Sequence, residues 1–157
     1  MKKILIAYGA LVVVIILLAF ARFKGASIIP GFSSGASAQV QDKKIKLLIA
    51  DDEEEKRKGL SNRKELKEDT GMIFLFEKSD KYSFWMKDVS FSLDLIYLQG
   101  DTVVDIIKNV PPQAGKQGTL PVYTPTTDAN RVLEVQGGFS DKNGLKIGDK
   151  IKFDGVK

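Results

Sequence analysis

The chain reads as a mainly β (α+β) domain: an antiparallel sandwich or barrel-like fold with one or two short helices, preceded by one transmembrane helix. Three observations predict this. Short apolar runs recur with tight turns between them, as in LDLIYL, QGDT and VVDIIKNV over 93–110. Helix-end chemistry is confined to two short stretches, 53–58 and 140–143. An uncharged apolar run from Ile4 to Ala21 opens the chain, flanked by Lys2 and Lys3 on one side and Arg22 and Lys24 on the other.

That first run has no polar stripe, which a core helix of a small domain would show. A membrane span needs roughly 17–25 apolar residues, and a signal peptide has a core of roughly 7–15 with a small-residue site close behind. The nearest such site, Ala36-Ser37-Ala38, lies well downstream of the run and past Pro30. An anchor over residues 1–24 is therefore expected, passing the membrane once through residues 4–21. The N-terminal flank holds slightly more positive charge, which favours an extracytoplasmic soluble part. GASIIPGFSSGASAQVQ then has no charge and no sustained period, the composition of a flexible linker, placed at 25–42. The domain proper is placed at 43–157.

KIKLLIA (44–50) predicts a strand. Asp51 or Asp52 can cap a helix over Glu53–Lys58, with acids in its first turn, bases in its last, and Gly59 to stop it. SNRKELKEDTG is polar and predicts a loop with a helical turn. GMIFLF (71–76) is a continuous apolar strand, EKSDKY a turn, SFWMK (83–87) a strand and LDLIYL (93–98) another. QGDT closes a hairpin onto VVDIIKNV (103–110). The stretch from Pro111 to Ala129 is rich in Pro, Gly and Thr, and loops this long are usually functional or mobile. RVLEVQ (131–136) is a strand, Ser140–Asn143 a helical turn, and Lys150–Phe153 a last strand.

The formal charge of +4 belongs to Lys2, Lys3, Arg22 and Lys24, so the soluble part is neutral. It has no net footprint for phosphate, and no nucleic-acid partner is expected. With no cysteine and no histidine there is no thiol nucleophile, no imidazole base and no thiolate or imidazole metal site. No cofactor, metal or catalytic residue is expected. Any catalysis would fall to carboxylates, lysine, tyrosine or hydroxyls.

The segment KYSFWMKDVSFSLDLIYL (81–98) holds the chain's single tryptophan. Period two puts Tyr82, Phe84 and Met86 on one face and Ser83, Trp85 and Lys87 on the other. Leu93, Leu95 and Tyr97 share a face of the next strand, with Asp94, Ile96 and Leu98 opposite. Trp85 then has two readings, a core residue or the flat wall of a site with Lys87 beside it. Asp94 is a carboxylate among apolar neighbours, so it needs a partner or water. Lys87, Arg63 and backbone N–H groups are the candidates. One reading has it pinning the Asp88–Ser92 connection; the other puts it at a pocket rim.

Gly59-Leu60 with Arg63, Gly71-Met72, Phe84-Trp85-Met86-Lys87, Leu93-Asp94, Val132-Leu133-Glu134 and Gly148-Asp149 occur in an order that resembles domain of unknown function 192. The resemblance runs from about Lys44 to Phe153. It implies a small, mainly β, prokaryotic domain, often behind a signal peptide or anchor, whose biochemical function is not established. The chain departs from the family pattern at Ser61, where members read Met, at Asp88-Val89, where they read Asn-Thr, and at Ser92, where they read Pro.

These readings lead to a binding domain for a small molecule, glycan or envelope partner, with Trp85, Lys87, Asp88 and Asp94 as its candidate residues and Arg63 and Glu134 in support. The first alternative is a hydrolase of envelope glycans that pairs Asp94 with Asp88 or Glu134. The second is a structural or interaction module with Trp85 in its core.

Overall fold

The computed structural model describes residues 35–156. The apolar segment 4–21 lies outside them. Among the described residues no helix is long and apolar enough to cross a membrane.

Among the described residues, nine strands and two short helices follow in the order β1 (Ser37–Val40), β2 (Lys43–Ala50), α1 (Glu53–Lys58), β3 (Thr70–Asp80), β4 (Phe84–Trp85), β5 (Leu93–Gln99), β6 (Thr102–Val110), β7 (Val122–Tyr123), β8 (Ala129–Gln136), α2 (Phe139–Lys142) and β9 (Lys152–Asp154). Seven of the strands form one sheet in the order β6-β5-β8-β3-β2-β1-β9, and β4 and β7 form a separate ribbon. The large sheet curls into a half-barrel. Its two ends approach where Thr102, opening β6, bridges Lys150 just before β9. There the Ile151 N–H donates to the Asp101 carbonyl at 2.9 Å and the Val103 N–H to the Asp149 carbonyl at 2.9 Å.

The sheet is not wholly antiparallel. β2 and β3 run parallel, with Leu48 opposite Met72. Parallel neighbours need a crossover of a dozen or more residues, and the polar stretch from Asp51 to Asp69 supplies it. α1 forms as its end chemistry predicts: the Asp52 carboxylate accepts from the Glu55 N–H at 2.7 Å, and Gly59 leaves the helix with φ 47°. No helix follows it in the crossover.

Three boundaries differ from the sequence reading. Ser37–Val40, assigned to the linker, is β1, paired with β2 and β9. Ala38 within it and Ala36 just before it are buried. Small uncharged side chains fit a tightly curled interior, and their composition is that of a linker too. β3 runs through the expected turn to Asp80, because main-chain pairing tolerates the polar residues Glu77–Asp80 on an exposed end. SFWMK keeps only Phe84–Trp85 as strand, since its partner β7 is two residues long.

Both faces of the sheet are buried. Ile45, Leu47, Ile73, Ile96, Leu98, Leu133 and Val135 fill the inside of the curl with Phe139 and Leu145. Leu48, Met72, Phe74, Leu93, Leu95, Tyr97 and Val132 fill the outer face, covered by Leu60, Leu66, Met86 and Val89. The alternation along β5 splits its residues between these two cores, as period two predicts.

Candidate functional site

Where the crossover and the 81–92 segment cover the outer face they leave a cleft of about 680 Å³. That volume suits a small organic ligand. The sheet supplies its floor through Phe74, Leu93 and Glu134. α1 forms one rim, with Glu53, Glu54, Lys56, Arg57 and Lys58. Tyr82, Phe84 and Trp85 form the opposite wall. The aromatic groups brace each other: Phe74 and Phe84 meet edge to face at 5.0 Å, and Phe76 stacks on Tyr82 at 3.6 Å.

Glu134 is the chemical anomaly of the floor. Its cross-strand neighbours are Met72 on β3 and Leu95 on β5, both apolar. The residue is only 5% exposed. Among the described residues none donates a hydrogen bond to its carboxyl, and no cation pairs with it. Burial without compensation disfavours the charged form, so the carboxyl is pushed up to about 8. On the same face of the neighbouring strand, the Tyr97 hydroxyl is buried with no hydrogen-bond partner among the described residues. Desolvation, then the nearby Glu134 and Asp105 charges, push that hydroxyl upward.

The other expected residues are divided between cleft and scaffold. Trp85 is 52% exposed and lines the cleft, so it is a wall and not a core residue. The Lys87 ammonium lies over its ring at 5.5 Å, as their shared face predicts. Asp94 is fully buried and does not line the cleft. Its Oδ1 accepts from the N–H groups of Asn109 at 2.8 Å and Gly138 at 3.0 Å, and its Oδ2 from Ser140 at 2.8 Å. Backbone groups satisfy it, but those of 109 and 138–140, not those of the Asp88–Ser92 connection. Asp88 and Arg63 lie beside the cleft in a zipped pair of loops. The Asn62 N–H donates to the Asp88 carbonyl at 2.8 Å, Ser61 Oγ to the Lys87 carbonyl at 2.7 Å and Ser90 Oγ to the Arg63 carbonyl at 3.2 Å. Desolvation lowers the partly buried Arg63 guanidinium from its usual value.

The sequence reading missed the α1 rim and Phe74, Phe76, Tyr82 and Phe84 as cleft residues. A charge run such as EEEKRK carries no local mark of what it faces. Only the parallel crossover swings it across the outer face. Among the described residues no group of three or more Asp or Glu is placed to hold a metal ion.

The family model named DUF192, described as "Uncharacterized ACR, COG1430", matches residues 36–153. The chain belongs to DUF192. The DUF192 fold recurs in a crystal structure of a protein of unknown function from Novosphingobium aromaticivorans DSM 12444. It is 29% identical, with a TM-score of 0.65 over 74% of this chain and 82% of that one. A second similar structure, from Sinorhizobium meliloti 1021, is described as a candidate transcription regulator. It is 22% identical, with a TM-score of 0.67 over 77% of this chain and 93% of that one, a likeness of fold alone. No curated protein matches the chain.

Most of the DUF192 signature residues hold the fold together. A side chain at Gly71 would meet the Glu134 carbonyl and Leu133 at 3.0 Å, so its absence lets β3 and β8 close. A Cβ on Gly137 would fall onto the Ser92 side chain, and Gly138 turns with φ 86° to aim its N–H at Asp94. Gly137-Gly138 and the Leu93-Asp94 signature are thus two halves of one junction. Leu60, Phe84, Trp85, Leu93 and Glu134 are the signature side chains that reach the cleft, and of these only Glu134 is ionisable.

Proposed function

We propose that this DUF192 chain is a membrane-tethered, extracytoplasmic binding module whose cleft takes a small organic ligand. The observation that carries the reading is Glu134, a carboxyl with no donor or cation among the described residues on the floor of an aromatic-walled cleft of about 680 Å³. A carboxyl that opens only into such a cleft is placed to meet a ligand's polar group. A ligand that brings that group to Glu134 can stack its body on the aromatic wall. The apolar run 4–21 and the uncharged stretch after it support the tether. The neutral soluble part supports a ligand other than nucleic acid.

Trp85 is the chain's single tryptophan and sits in the wall, so its emission reports the cleft directly. Titrating small aromatic and sugar ligands into the protein is expected to shift and saturate that emission. Replacement of Glu134 by Leu, which fills the floor with an apolar group, is expected to weaken binding at least about tenfold, the loss of one buried polar contact. A saturable ligand whose affinity ignores Glu134→Leu would refute the reading.

A further inference from the structure

Deepening the reading of the cleft as a ligand site, and resting on it, we infer that the cleft is shaped for an organic cation, an amine or amidinium head on an apolar body, with Glu134 as its counter-ion. The protein already shows that its aromatic faces in this region hold cations. The Lys56 ammonium sits over the Phe76 ring at 5.2 Å, and that of Lys87 over Trp85 at 5.5 Å. The deeper rings, Phe74 and Phe84, have no such cation among the described residues. Glu134 lies on the floor beside them.

The charge distribution points the same way. The three bases of the cleft, Lys56, Arg57 and Lys58, all stand on α1 at the rim. Lys56 is engaged there by Glu53 at 3.3 Å. None pairs with Glu134, so the floor presents an acidic group with apolar surroundings and no counter-ion among the described residues. A buried carboxylate is costly alone and tolerable when paired. A ligand ammonium placed against it and against the faces of aromatic rings gains from both. An anionic ligand would find no cation on the floor among the described residues, only a carboxyl that repels it when ionised and offers a single O–H when protonated.

The groups facing Glu134 are Tyr97 from β5, with Asp105 of β6 acting on that tyrosine, Tyr82 from the wall, and Glu53, Glu54, Lys56, Arg57 and Lys58 from α1; β3 contributes Met72 and Phe74, which do not titrate. The chain has no histidine or cysteine. Burial holds the Glu134 proton on up to about pH 8 in the empty cleft. A cation binds the ionised form, so below that pH it must expel a proton. Affinity for a permanent cation therefore rises about tenfold per pH unit from about pH 6 to pH 8 and then levels.

The test uses the full-length protein in non-ionic detergent. Benzylammonium, benzyl alcohol and benzoate share one ring and differ in charge; phenyltrimethylammonium serves for the pH series because its charge is fixed. Binding is read by Trp85 emission and by calorimetry in two buffers of different ionisation heat, which counts protons. The expected result is benzylammonium at least about tenfold tighter than benzyl alcohol, with release of close to one proton near pH 7. Glu134→Gln should erase the cation preference, the proton release and the pH slope, with the thermal transition retained as evidence of folding. Benzyl alcohol or benzoate binding as tightly as benzylammonium, or a cation preference that survives Glu134→Gln, overturns the inference and leaves the ligand site standing. If none of the probes binds, the ligand-site reading fails and the inference with it.

Discussion

Asp94 and Glu134 stand on neighbouring strands, β5 and β8, and point to opposite faces of the sheet. Asp94 faces the inside of the curl, where three N–H groups converge on it. Glu134 faces the cleft and has no donor among the described residues. Their substitutions should therefore behave oppositely. Asp94→Asn removes a charge-assisted acceptor and turns an amide N–H toward a backbone donor. It is expected to cost about 2–4 kcal/mol in urea unfolding, with the turn at 138–140 loosened. For Glu134 the folded carboxyl titrates higher than the unfolded one, so the native state holds the extra proton between the two values. Stability is then full below about pH 4.5 and falls as pH rises through about 8, by up to about 5 kcal/mol in all. Urea melts at pH 5, 7 and 9 should show that decline in the parent and a nearly flat line in Glu134→Gln. Parallel pH profiles in the two proteins would place the titrating group elsewhere.

At the scale of elements, the cleft depends on the pieces laid over the outer face. The β2–β3 crossover brings α1 to one rim. The β4–β7 ribbon carries Trp85, paired with Val122, to the other. The ribbon's second strand belongs to the long loop 111–128, and Asp105 on β6 ties that loop down. Its Oδ2 accepts from the Thr126 N–H at 2.7 Å and from Thr126 Oγ1 at 2.8 Å, and its Oδ1 from the Ile106 N–H at 2.7 Å. Burial acts to raise this carboxyl, but the three hydrogen bonds outweigh it and hold it below its usual range. Its contribution is present above the unfolded carboxylate value and is lost as pH falls through the folded one. Asp105→Ala is expected to leave the large sheet intact, with a loss of about 1–2 kcal/mol. Hydrogen exchange at Tyr123 and Thr126 should speed up, and Trp85 emission should move as the ribbon loosens. Unchanged exchange in that segment would show that the loop is held by other contacts.

For the whole molecule, the curled sheet with a core on each face gives residues 35–156 hydrophobic cores of their own. Expressed in a bacterial host, the full chain is expected in the membrane pellet and to resist alkaline carbonate. A chain starting at residue 35 is expected in the soluble fraction with the same thermal transition. Protease added to intact spheroplasts should remove the domain if it lies outside. A full-length protein released by carbonate would exclude a spanning anchor.

Residue type and spacing were enough to determine much of this protein. Period two assigned the side chains of Leu93–Leu98 to their faces, and end chemistry placed α1 at Glu53–Lys58. The hairpin at 99–102 and the family signature were likewise local, because each depends on neighbours along the chain. Strand β1 escaped notice because Ala and Ser pack inside a curl as well as they fill a linker. The parallel β2–β3 pair, the α1 rim and the partners of Asp94 came only from tertiary structure. Each brings together in space segments that lie far apart along the chain, which no local pattern encodes: Asp94 meets Ser140 across 46 positions. The same holds for Trp85 and Glu134. Their chemistry was visible in the sequence, and the folding of β8 beneath the 81–92 segment put both in one cleft.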